Sequence, residues 1–357
     1  MKNKNGRSII TPALVVDHKI LLGNITKMAE FCKKHYIGVR PHFKTHKCVE
    51  IAKLQLKAGA VGITVQTIDE AEALVKGGIK KVLLANELVD ANKIRRFLKL
   101  VKKGNELIIA VENEKNLKLL DALAGKAGKT INALVEVDVG MNRCGTKPGA
   151  KTLEFVLKVL RCRNIVFKGL QGYEGHTVLI PGRKERAAAS GASLKALVDT
   201  KVLLLENRID CEIVTAGGTG TYDLTGLNPN ITDIQPGSYV YMDAKYGTVS
   251  GDFRKTLYVL ATILCRRDNG DYIGDAGHKA LTSEFGMPKL LEPKGEILKL
   301  NEEHCRLKIE NRKHKKIKQV KITPSHCCTT VNLYDNIYVV DANKVIGVWK
   351  INRQRKV

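Results

Sequence analysis

The sequence predicts an α/β fold, a (β/α)8 barrel followed by a C-terminal all-β domain. Three observations carry this. Eight short apolar runs punctuate the first two thirds of the chain, segments of helical period lie between them, and the pattern changes from about Ser250 onward. Strand and helix in alternation imply parallel pairing, and about eight strands suffice to close a barrel.

In order, the strand runs are GVRPHF (38–43), AVGITVQT (60–67), KKVLLANE (80–87), ELIIAVE (106–112), NALVEVDVG (132–140), FKGLQGYEG (167–175), CEIVTAG (211–217) and TDIQPGSYV (232–240). DHKILLGNITKMAEFCKKHY before the first and TIDEAEALVKGG after the second show the helical spacing. Beyond Ser250, FRKTLYVLATILCRR, GDYIGDAGHKA, a segment near 307–312, KIKQVKITPSH and NIYVVDANKVIGVWKI read as short strands separated by turn residues. The division expected is residues 10–245 for the barrel and 246–357 for the β domain, with residues 1–9 able to add a strand to the latter.

Composition narrows the function classes. The 357 residues suit a large barrel with an appended domain, and 44% hydrophobic residues suffice for a large core. No apolar run approaches the roughly 20 residues a bilayer requires. Without an N-terminal apolar segment and cleavage site, the expected location is cytoplasmic. Nine cysteines scattered through apolar segments resemble reduced core thiols more than a disulfide framework. A formal charge of +24 raises the question of nucleic acid. The lysines, however, lie on nearly every expected helix, and only NRKHKKIKQVK (311–321) forms a dense run. The reading favoured is a solvated lysine-rich surface, not a polyanion site.

Barrels place reactive groups at the C-terminal ends of their strands. RPHFKTHK (40–47) runs off the first strand, and Gln66, Asn86, MNRCG (141–145), Tyr173 to His176 and AGGTGT (216–221) run off later ones. Singly, Lys44 reads as a surface lysine and Gly217 to Gly220 as a loop. Together at one rim they point to a site. RPHFKTHK, DVGMNRCG, GLQGYEGH, AGGTGT, IQPGSYVYMD and PSHCC also resemble, in that order, the D-serine dehydratase and D-threonine aldolase family, relatives of alanine racemase.

The resemblance implies pyridoxal phosphate bonded covalently to Lys44, with His42, Gln66, Arg143 and Tyr173 around the cofactor and Arg143 near its phenolic oxygen. The chemistry of the motif agrees. An amine must be deprotonated to add to an aldehyde, and neighbouring cations (Arg40, His42, His46 and Lys47) lower a lysine pKa. Of these, Lys47 is expected to pair with a barrel carboxylate instead. In AGGTGT, Gly217, Gly218, Thr219 and Gly220 would bring backbone N–H groups to a phosphate. His176 reads equally as a core histidine or a catalytic one. Alanine racemases carry an arginine where this chain has Gln235, so a neutral amide would meet the ring nitrogen.

SHCC (325–328), read as a strand, puts His326 and Cys328 on one face and Cys327 on the other. Imidazole plus thiolate suits Zn²⁺. The resemblance implies a carboxylate at the Cys328 position in the aldolase branch and cysteine in the dehydratase branch. It implies a homodimer as well, acting on a D-amino acid with a β-hydroxyl. The expected activity is dehydration of D-serine to pyruvate and ammonia. The alternative is retro-aldol cleavage of D-threonine or 3-hydroxy-D-aspartate, with a non-catalytic pyridoxal-phosphate carrier as a third reading.

Overall fold

In a computed structural model, residues 9–310 and 317–353 are described. Residues 1–8, which include most of the expected extra strand 1–9, and residues 311–316 of the basic run 311–321 lie outside the described residues. The chain opens with β1 (Ala13–Asp17) and α1 (His18–Lys34), and its described part divides into two compact units.

The first unit, within residues 28–44 and 52–237, contains eight parallel strands. They are β2 (Gly38–Val39), β3 (Ile63–Val65), β4 (Lys81–Leu84), β5 (Glu106–Val111), β6 (Ile131–Glu136), β7 (Ile165–Gly172), β8 (Ile213–Ala216) and β9 (Asp233–Ile234). Each of the eight apolar runs supplies one. The sheet order is β2-β9-β8-β7-β6-β5-β4-β3, and a parallel bridge from His42 to Thr64 links its two ends. Two further bonds span the same seam, Val61 N–H to Val39 O at 2.9 Å and Thr64 N–H to Pro41 O at 3.0 Å. Strands covered on both faces need apolar residues throughout. Val82 to Leu84 and Leu107 to Val111 are accordingly buried, each large side chain contributing about 1.5–3 kcal/mol.

Helices begin at the strand ends because capping residues wait there. Thr67 caps the helix Ile68–Lys76 by accepting from Glu70 N–H, and the Glu70 carboxylate accepts from Gln66 N–H at 2.8 Å. This is close to a capping box. Asn113 caps the helix Glu114–Lys126 in the same manner, accepting from Asn116 N–H.

The second unit contains β1, residues 45–51 and the chain from Ser238 onward. Its strands are β10 (Leu257–Arg266), β11 (Tyr272–Gly274), β12 (Lys289–Glu292), β13 (Gly295–Leu300), β14 (Cys305–Ile309), β15 (Gln319–Thr323), β16 (Asn336–Asp341) and β17 (Lys344–Lys350). Strands β12 and β13 went unanticipated, because their alternation carries glutamate and lysine at the exposed positions. The strand added from the N-terminal region is β1, antiparallel to β10 and parallel to β16. The division therefore differs from a single cut near residue 245. Val15 and Val16 are wholly buried, so the apolar run just before α1 is part of the core of this sheet.

Candidate active site

In the barrel unit, β2 gives way to Arg40, Pro41 and His42, then to a 3-10 turn over Phe43–Thr45. Phe43 is wholly buried and pins the turn, and Lys44 N–H donates to His42 Nδ1 at 3.4 Å. Lys44 Nζ lies 5.8 Å from the Tyr173 ring centroid, and Arg143 Cζ lies 5.8 Å from the same ring. Lys44 and Arg143, from widely separated runs, thus both approach the Tyr173 ring.

The nitrogens of RPHFKTHK are divided between the two units. Arg40 meets a barrel carboxylate, Asp233, at 3.5 Å. Lys47, expected in that role, donates to the Asn332 side-chain oxygen at 2.9 Å in the other unit. His46 is buried there too, accepting from Cys48 N–H. The chain passes from one unit to the other between Lys44 and Thr45.

Arg143 also faces Glu136, the last residue of β6, at 3.8 Å. Burial, followed by the Glu87 charge, pushes the Glu136 carboxyl up to about 8. Glu136 accepts from Gln171 Nε2 at 2.9 Å, and Gln171 accepts from Gln235 Nε2 at 3.3 Å. A buried polar chain thereby connects Arg143 to the end of β9.

AGGTGT is shaped by a residue the sequence reading passed over. The buried Glu174 carboxylate accepts from Gly217 N–H at 3.0 Å, Thr221 Oγ at 2.8 Å and Thr225 Oγ at 2.6 Å. Gly218 N–H donates to Thr221 Oγ at 3.0 Å. Two glycine N–H groups are thus spent inside the loop. Glycine is required at 220, where a Cβ would fall 1.8 Å from Val178 O. Gly218 lies under Tyr173, a Cβ there approaching that ring to 3.3 Å. His176 is exposed, its Nε2 3.4 Å from Ser193 Oγ. Gln66 is engaged through its backbone, its carbonyl accepting from Asn86 Nδ2 at 3.2 Å.

In the other unit the strand reading of SHCC is corrected. β15 ends at Thr323, and Cys327–Val331 is a helix with His326 at its N-cap. A helix turns 100° per residue, so the alternation argument separating Cys327 from Cys328 does not apply. Donor atoms of His326, Cys327 and Cys328 all lie within 4.8 Å of one another. Asp243, wholly buried, accepts from His326 Nδ1 at 2.8 Å and from Cys327 N–H at 2.9 Å. This fixes the tautomer and leaves Nε2 to bind an ion.

The two thiols differ in charge. A hydrogen bond from Cys327, with His326 nearby, holds the Cys328 thiol well below the ordinary range, whereas burial pushes Cys327 well above it. Thr45 Oγ1 lies 3.4 Å from Cys328 Sγ. Burial lowers the His326 pKa, but the Cys328 thiolate and Asp243 outweigh it and push it up to about 10. A divalent ion would replace that proton.

Comparison with known proteins agrees with this architecture. Residues 16–245 match the alanine racemase N-terminal domain, and residues 256–340 match the putative serine dehydratase domain. The chain belongs to this alanine racemase-like family. It is 34% identical to the D-threonine aldolase of an Arthrobacter species, over 96% of this chain and 92% of that one. It is 32% identical to the 3-hydroxy-D-aspartate aldolase of Paracoccus denitrificans (98% and 93% covered) and 24% identical to the D-serine dehydratase of Dictyostelium discoideum (98% of each). The solved D-threonine aldolase of Filomicrobium marinum superposes with a TM-score of 0.93 at 32% identity, covering 97% of this chain and 96% of that one. These relatives are lyases.

As a member of the alanine racemase-like family, the chain has residues that fit both groups the sequence suggested. Lys44 stands beside an aromatic ring, and a glycine-rich turn leaves no room for a side chain at 220. His326 and Cys328 offer an imidazole and a thiolate, a donor pair suited to zinc. Sequence reasoning missed Asp243, Glu174, Glu136 and Gln171. Asp243 and Glu174 lay inside quoted motifs, IQPGSYVYMD and GLQGYEGH, but a carboxylate's partner on a distant segment leaves no mark in local spacing. No helix among the described residues is long and apolar enough to cross a membrane.

Proposed function

We propose that this lyase is a pyridoxal-phosphate- and zinc-dependent D-serine dehydratase, yielding pyruvate and ammonia. The observation that carries the reading is the imidazole–thiolate pair of His326 and Cys328, oriented by buried Asp243. When bound, pyridoxal phosphate supplies a sink for the electrons left at Cα. Zinc on His326 and Cys328 would supply Lewis acidity toward a β-hydroxyl.

The chain's own residues do the rest. Lys44 would hold the cofactor covalently, and its amine is the base for the Cα proton. Because the amine approaches from one side, only one enantiomer presents its proton, and the resemblance assigns the D form. Arg143 keeps positive charge beside Tyr173. The AGGTGT turn would hold the phosphate, and Glu174 keeps that loop in shape. A cytoplasmic setting fits nine cysteines that are all free, and a homodimer accompanies the family resemblance.

A specific observation favours a second reading. Three of the relatives described above, each more than 30% identical, are aldolases. In that reading a base, for which His176 is the candidate, takes the hydroxyl proton and the Cα–Cβ bond breaks.

Incubation of purified holoenzyme with D-serine and D-threonine separates the two. Pyruvate from D-serine is expected, with L-serine inert. Glycine plus acetaldehyde from D-threonine, with no pyruvate from D-serine, would replace dehydration by the aldolase reading. Borohydride should fix the cofactor to Lys44, and Lys44→Ala should lower turnover by at least the ~10²–10⁴-fold that a general base provides.

A further inference from the structure

The Gln235 amide is locked in one orientation by groups that cannot exchange roles. Arg40 and Asp233, both buried, form an ion pair at 3.5 Å. The Asp233 carboxylate can only accept, so Thr215 Oγ1, 2.6 Å away, gives it its single proton. Thr215 is then left to accept, and Gln235 Nε2 donates to it at 3.0 Å. The second N–H of Gln235 goes to Gln171 Oε1 at 3.3 Å, an oxygen oriented by Gln171 Nε2 donating to Glu136 at 2.9 Å. Thr215, Asp233 and Gln171 are each at least nine-tenths buried, so water does not substitute for a link.

Both amide protons of Gln235 are therefore spent, and its Oε1 is left as an acceptor at the C-terminal end of β9. We propose that Gln235 offers this oxygen, and no N–H, to the ring nitrogen of pyridoxal phosphate, so that the bound ring is a pyridinium. The inference rests on the cofactor reading above. An unprotonated nitrogen would set its lone pair against Oε1, whereas a protonated one donates to it. The charged groups around the relay are Asp233 and Arg40 on one side and Glu136, Glu87 and Arg143 on the other. A protonated ring withdraws electrons from Cα more strongly than a neutral one, as expulsion of a β-substituent requires.

The test is the ¹⁵N shift of pyridoxal phosphate labelled at the ring nitrogen, measured in the holoenzyme at neutral pH. A pyridinium shift is expected in the native protein and in Gln235→Glu, which preserves an acceptor. Gln235→Leu removes the acceptor, and Thr215→Val frees an N–H to turn toward the ring. Both should move the signal to the unprotonated position. Should Gln235→Leu fail to fold, Gln235→Arg supplies a donor and should give the same shift. A bound cofactor with an unprotonated nitrogen in the native protein, or an unmoved signal in the variants, overturns the inference alone. Failure of the cofactor to bond Lys44 overturns the reading beneath it.

Discussion

Asp243 Oδ2 accepts from His326 Nδ1 at 2.8 Å and from Cys327 N–H at 2.9 Å, so one buried carboxylate orients an imidazole and the start of the helix that carries Cys328. Its Oδ1 accepts from Tyr246 N–H at 2.7 Å. Asp243→Asn keeps the shape but offers only one acceptor oxygen. Zinc affinity should fall by about 10–100-fold, as for other partners of ligating histidines. Competition with a chromophoric chelator measures this, and an unchanged affinity would show that His326 needs no such support.

The adjacent cysteines should behave differently, although for reasons other than strand alternation. Cys328 has the depressed pKa of a ready ligand, and Cys328→Ser should weaken zinc binding by orders of magnitude. Cys327 is wholly buried with a raised pKa, so Cys327→Ser should cost roughly 1–3 kcal/mol of stability and retain the metal. Metal content and thermal unfolding of both variants decide the matter. Loss of zinc in Cys327→Ser alone would exchange their roles.

Glu174→Gln tests the loop. The substitution sets an amide NH₂ where three donors now converge, leaving at least one of them without an acceptor. A loss of about 1–3 kcal/mol is expected, together with weaker cofactor binding. Calorimetry and cofactor titration read the two effects separately, and full cofactor affinity in the variant would remove Glu174 from the phosphate argument.

Glu136 predicts a pH dependence. Its carboxyl rises from 4.5 to about 8 on folding, chiefly through burial. The folded state therefore holds this proton more tightly. The associated stability is complete below pH 4.5 and is lost as pH rises through about 8. Unfolding free energy should decline across that interval, and Glu136→Gln should flatten the decline. An identical slope in the variant would mean that other groups carry it.

Much of the barrel was legible because a strand buried on both faces must be apolar, and eight such runs stand out between amphipathic helices. Lys44, Arg143 and Tyr173 were legible as rim residues, and the structure brings them onto one ring. The SHCC segment misled because strand and helix are indistinguishable over four residues. Only the Asp243 cap, 83 residues away, marks where the helix begins. Strand β1 was hidden for a similar reason: Ala13–Asp17 borders a helix in sequence, and its partners lie at 257–260 and 338–340.

That placement of β1 has a consequence for how the chain is made. Its five residues leave the ribosome well before either of the strands that flank them, β10 and β16. At roughly 5–20 residues per second, β1 waits tens of seconds for its second neighbour. During that interval it is an apolar strand with open edges, a natural client for a chaperone. A fragment beginning at residue 246 would lack its middle strand, and should be soluble only when a peptide spanning 9–17 is supplied in trans.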